Sequence, residues 1–142
     1  FRGLFIRLGM EKYSFTKANW FAAFLFGIWH LSMPVSSLMD GQMTPAEAVV
    51  MGVGYVILAM IMGVKWGLWL RNTSCLWFGV SEHFFNNTIG NLLHVVTGTG
   101  ADEMQIIRVI IAQILSLAIT LIINRNTRRA EEKYDERKTR IG

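Results

Sequence analysis

The sequence predicts an all-α protein, a polytopic integral membrane helix bundle of about four complete spans plus the end of a preceding helix. Three observations predict it. Hydrophobic residues make up 52% of the 142 residues and charged residues only 17%, where ordinary soluble domains carry about 25% charged. The apolar residues gather into windows near the roughly 20 residues that a helix needs to cross a bilayer. Positive charge alternates between the ends of those windows, as it does in chains threaded through a membrane.

Residues 1–8 are apolar apart from Arg2 and Arg7 and lack a signal-peptide layout. They read as the last turns of a helix that starts upstream, so the chain is expected to be the C-terminal part of a longer protein. The windows follow at about 15–35, 46–70, 74–96 and 104–123, the third being the most polar. Gly9, Met39-Asp40-Gly41 and Thr97-Gly98-Thr99-Gly100 mark the tight connections. Pro34 and Pro45 flank the first loop, where a helix end and a helix start tolerate them.

Arg7, Lys12 and Lys17 precede or open the first window, Arg71 follows the second, and Arg125, Arg128 and Arg129 follow the fourth. The intervening connections carry Asp40 and Glu47, then Asp102 and Glu103, with no Lys or Arg. Basic ends are expected in the cytoplasm. Lys65 and Arg108 fall inside windows near their ends, where long side chains are expected to snorkel to the interface. Residues 1–124 thus form a transmembrane domain. Residues 125–142 form a basic, solvated cytoplasmic tail, in which i,i+4 pairs can prolong the last helix. The expected location is the cell membrane, multi-pass, with the bilayer as a partner.

The net charge of +4 does not indicate nucleic acid. The tail from Arg125 holds 7 Lys/Arg against 4 Asp/Glu and supplies +3 of it. No basic surface with interleaved aromatics follows. The single cysteine, Cys75, excludes an intrachain disulfide. With no His within a helical turn, it is expected to be a buried, inert thiol. No repeat is visible. Asn72-Thr73-Ser74 and Asn86-Asn87-Thr88 fit the glycosylation pattern by chance, one on the cytoplasmic side and one in the membrane. Gly63 and Gly67 form a GxxxG that suits helix packing. The 8 methionines follow no stripe and read as packing filler.

Polar side chains in lipid are costly and default to functional candidates. The third window holds Glu82, His83, Asn86, Asn87, Asn91 and His94. At about 100° per residue, His83, Asn87, Asn91 and His94 form one stripe, and Glu82 points about 100° away from His83. Glu82 can pair with Lys65 or Arg108, or serve the site. His94 falls nearer the membrane surface. In the first window Phe26 and His30 share a face, and Pro34 after them can open the helix end to water. A lone membrane His is as often a packing residue. Two imidazoles and a carboxamide together can orient water, donate to an oxyanion or bind a metal. Hydrolysis further needs a general base, normally a carboxylate or a third His. His30, His83 and one carboxylate would meet the ligand count of a zinc site, but the spacing is not a metal signature and no metal site is assigned.

Three segments carry a resemblance. Phe26-Gly27-Ile28-Trp29-His30 fits FxxxH, and His83-Phe84-Phe85-Asn86-Asn87 fits HxxxN. Phe1-Arg2-Gly3-Leu4-Phe5 is similar to the end of an EExxxR motif. In this order, over about residues 1–96, they resemble the CPBP (CAAX protease and bacteriocin-processing, or Abi) family of intramembrane endopeptidases, which includes the Ras-converting prenyl-protein type. The resemblance implies peptide-bond hydrolysis by glutamate-activated water. His30 would help hold that water, and His83 and Asn87 would stabilise the oxyanion. Phe26 and Glu82 are supporting residues, and Arg2 would be the motif arginine beside the glutamate pair. It implies a peptide or prenylated-protein substrate. The family is often labelled a metalloprotease; zinc is possible, and a metal-free mechanism with no cofactor is the expectation. The glutamate pair would lie just before Phe1, so the parent is expected to be active and these 142 residues alone inert. Two alternatives stand beside this one: a non-catalytic interaction or bacteriocin-immunity member of the same family, and a proton-coupled transporter relaying protons through Glu82, His83 and His94.

Overall fold

The computed structural model describes residues 2–92 and 104–141, with side chains except at 2, 90–92, 106 and 134–141. Every element among the described residues is a helix: α1 (Arg2–Met10), α2 (Phe15–Trp29), α3 (Ser32–Met39), α4 (Pro45–Thr73), α5 (Trp77–Leu92) and α6 (Gln105–Ile141). The chain divides into two compact units, Phe1–Gly67 and Leu68–Gly142, so α4 begins in the first and ends in the second.

Three stretches are long and apolar enough to cross a membrane: Phe15–Met39, Pro45–Thr73 and Ile107–Lys133. They recover the first, second and fourth windows. The third window becomes α5, whose 16 described residues fall short of a span, and its last residues, His94 among them, lie outside the described residues. The Thr97–Gly100 connection, Asp102 and Glu103 lie outside them too. Helix α6 continues without a break through the basic tail to Ile141.

The first unit is built with small residues inside and large ones outside. Ala18, Ala22, Ala23, Ala48 and Ala59 are buried, while Trp20, Phe21, Trp29, Val49, Val50 and Ile57 are exposed. In water that arrangement would waste apolar area. In lipid it is the favourable one, because helices gain by close backbone approach rather than by hiding hydrocarbon. Gly67 shows it most directly: the Asn19 carboxamide occupies the place where a Cβ would stand, and Asn19 Nδ2 donates to the Val64 carbonyl at 3.0 Å. Gly63 is buried as well, so the GxxxG acts in packing.

Two expectations are corrected here. Gly9 is not a connection but lies within α1, where Ala18 of α2 comes so close that a Cβ would meet it at 2.9 Å. The turn follows at Glu11–Ser14, with Tyr13 N donating to the Gly9 carbonyl at 2.9 Å. Lys65 does not snorkel; it is fully buried, with 0% exposure. Eight residues separate it from the end of α4 at Thr73, about 12 Å of helix, farther than a lysine side chain reaches. Arg108, near the start of α6, is exposed as expected.

The other boundaries follow local chemistry. Gly41 turns at φ +68° after α3, a conformation that costs glycine nothing. Pro45 opens α4 at its first position, where a missing N–H is not missed. Ahead of it Thr44 and Glu47 form a reciprocal cap: Thr44 N donates to Glu47 Oε2 at 2.7 Å, and Glu47 N to Thr44 Oγ1 at 3.3 Å. Pro34 lies in the first turn of α3 rather than at the end of α2. With no N–H it cannot donate back to His30, so the helix breaks there.

Candidate functional site

In the first unit His30 is the residue that ends α2, where the backbone tightens and His30 N donates to the Gly27 carbonyl at 3.0 Å. His30 Nδ1 lies 2.8 Å from the Phe26 carbonyl oxygen. A carbonyl only accepts, so Nδ1 carries the proton and, in the neutral ring, Nε2 keeps its lone pair. Phe26 also meets the imidazole edge-on, centroids 4.6 Å apart at 72°. On its other side it meets the buried Trp66 of α4 at 5.6 Å and 63°. The four-residue spacing therefore fixes one tautomer and braces the ring against a second helix.

In the second unit α4 ends at Thr73. Ser74 adopts φ +53°, and Thr73 Oγ1 donates to the Trp69 carbonyl at 2.7 Å while accepting from Cys75 N at 3.2 Å. Cys75 lies in this break, half-buried rather than buried as expected, because neither flanking helix covers it. Trp69 and Phe78 stack across the break, centroids 5.4 Å apart at 13°.

Helix α5 then carries His83 and Asn87 on one face, with Asn87 Nδ2 at 3.3 Å from His83 Nε2. An amide nitrogen only donates, so the imidazole accepts at Nε2 and holds its proton on Nδ1. Both residues lie with Val80, Phe84 and Thr88 on one open face of α5. A polar pair on an otherwise apolar face can orient a carbonyl group. Glu82 points elsewhere, as its position one residue earlier requires, and its Oε1 accepts from Ser116 Oγ of α6 at 3.3 Å. Next to it Gln113 Nε2 donates to Asn86 Oδ1 at 3.2 Å.

Phe26 and His30 thus come together in the first unit, and His83 and Asn87 in the second. Glu82 meets Ser116, a partner the sequence did not indicate. Arg2 opens α1, and its side chain, like that of Asn91, lies outside the described ones. Within each unit no three described His, Cys, Asp or Glu side chains converge as a metal would need. Sequence reasoning missed Asn19, Gln113, Ser116 and Thr120. Each is a polar residue inside an apolar window, the same signal that singled out His83.

Residues 1–89 match the family described as type II CAAX prenyl endopeptidase Rce1-like. No curated protein and no solved structure matches the chain.

Proposed function

We propose that this chain, which belongs to the Rce1-like family of type II CAAX prenyl endopeptidases, carries the histidines and asparagine of an intramembrane endopeptidase site. The reaction is hydrolysis of a peptide bond near the membrane, in a prenylated CAAX tail or in a peptide such as a bacteriocin. The observation that carries the reading is the His83–Asn87 contact at 3.3 Å on an open face of α5, within the residues 1–89 that match a peptidase family.

In this reading a glutamate of the pair expected before Phe1 takes a proton from water as the water oxygen attacks the scissile carbonyl carbon. Arg2, one helical turn on, holds that carboxylate in place. His30 accepts a hydrogen bond from the same water at Nε2, the nitrogen left open by its bond to Phe26. The carbonyl oxygen becomes an oxyanion, and Asn87 Nδ2 and His83 donate to it. To do so the Asn87 amide turns from the ring to the substrate, and His83 shifts its proton to Nε2. The tetrahedral intermediate then collapses, the C–N bond breaks, and the glutamate returns its proton to the leaving amine. Glu82 plays no part in this sequence. In the same reading the protein is multi-pass in the cell membrane, with the tail after Arg125 in the cytoplasm.

The test is release of the C-terminal peptide from a prenylated CAAX peptide and from its unprenylated counterpart, in membranes expressing the complete coding sequence. Cleavage that is lost in His30→Ala, His83→Ala and Asn87→Ala supports the reading. Cleavage indifferent to all three overturns it and leaves the non-catalytic family member in its place.

A further inference from the structure

The family match stops at residue 89, ahead of α6, yet α6 supplies the polar partners of α5. We propose that Gln113 and Ser116 are positioning residues for His83 and Asn87, acting by fixing the rotation of α5 about its own axis. What the positioned pair does rests on the endopeptidase reading above; the rotational lock does not.

Helix α5 carries two polar pairs at i,i+4 spacing, Glu82 with Asn86 and His83 with Asn87. They are offset by one residue, about 100° around the helix. The first pair engages α6 in antiparallel register: Asn86 receives from Gln113 at 3.2 Å, and Glu82 from Ser116 at 3.3 Å. The second pair lies with Thr88 on the open face of α5. Gln113 is buried, with 5% exposure, and so is Thr120 about two turns along, with 1%. The Thr120 hydroxyl donates to the Ser116 carbonyl at 2.8 Å, which satisfies it within α6. Residues 113, 116 and 120 therefore make one polar face on α6.

The apolar residues of α6 offer little to choose between rotations. Ile110, Ile111, Ile114, Leu115 and Ile119 are all about half exposed and chemically alike. In lipid, apolar contacts between helices have no solvent-driven preference, and small polar pairs set which faces meet. A rotation of α5 by one residue would turn His83 and Asn87 toward α6 and away from the side they now face. The two hydrogen bonds to α6 oppose that rotation.

The test uses the full-length protein in membranes, with Cys75→Ala and a reporter Thr88→Cys on the same face of α5 as His83 and Asn87. The rate at which a water-soluble maleimide labels the reporter reads the rotation of α5. In Gln113→Leu with Ser116→Ala, labelling should change severalfold. Without the reporter, kcat should fall on the order of tenfold or more with KM little changed, the signature of misplaced groups rather than lost binding. The exchange Asn86→Gln with Gln113→Asn rebuilds the amide pair with its lengths swapped and should restore both readouts. It also keeps the test decisive where the apolar variant fails to fold. Labelling that stays at the parent rate in the apolar variant, or that the exchange fails to restore, overturns the proposal. A restored labelling shift in a protein that never cleaves peptide upholds the rotational lock and removes the endopeptidase reading instead.

Discussion

The two units hold a histidine in opposite ways. In the first, His30 is fixed by its own helix and by aromatic rings: the Phe26 carbonyl at 2.8 Å, the Phe26 edge at 4.6 Å, and Trp66 behind it. Small residues and glycines bring the helices close enough for that stack. In the second, His83 meets a side-chain amide on an open helix face, and the helix that carries it is tied to α6 by hydrogen bonds. One histidine is held by shape, and its tautomer is set before anything binds. The other is held by polar partners that can exchange one acceptor for another.

The largest effect expected from breaking that comparison is on the polar side. His83→Ala or Asn87→Ala should each lower cleavage about 10²–10³-fold, the cost of one oxyanion donor, with unchanged unfolding in detergent. On the packed side, Gly67→Ala should destabilise the protein by about 1–3 kcal/mol, because a Cβ would displace the Asn19 carboxamide. Thermal unfolding in detergent measures it, and adding Asn19→Ala should recover part of the loss. Phe26→Leu sharpens the contrast. It removes the ring edge but keeps the carbonyl, so about 0.5–1.5 kcal/mol of aromatic contact is lost while the His30 tautomer is kept. Cleavage should fall less than in His30→Ala when the two are assayed side by side. Smallest is Thr44→Ala, which removes the cap at the start of α4. It should cost about 1 kcal/mol of unfolding free energy and leave cleavage at the parent rate.

What the sequence made legible was whatever depends on one helix. The i,i+4 spacing of Phe26 and His30, and of His83 and Asn87, placed each pair on one face, and the structure has both pairs in contact. The apolar windows located α2 with α3, α4 and α6. What depends on a second helix was not legible. Gly9 looks like a turn until Ala18 is seen beside it. Lys65 looks close enough to an interface until its burial shows that it faces the packed side of α4. Gln113 and Ser116 are ordinary polar residues in an apolar run until Asn86 and Glu82 are known to lie opposite. Periodicity reports direction around one axis, and it carries no information on which neighbour stands in that direction.

The same seam has a consequence for how the chain is made. Helix α5 leaves the ribosome with Glu82, His83, Asn86 and Asn87, a load that hydrocarbon alone accepts poorly. Its partners Gln113 and Ser116 are synthesised later, after the connection to α6. During that interval α5 has nowhere stable to go by itself. The pairing with α6 therefore favours entry of the two helices into the bilayer together.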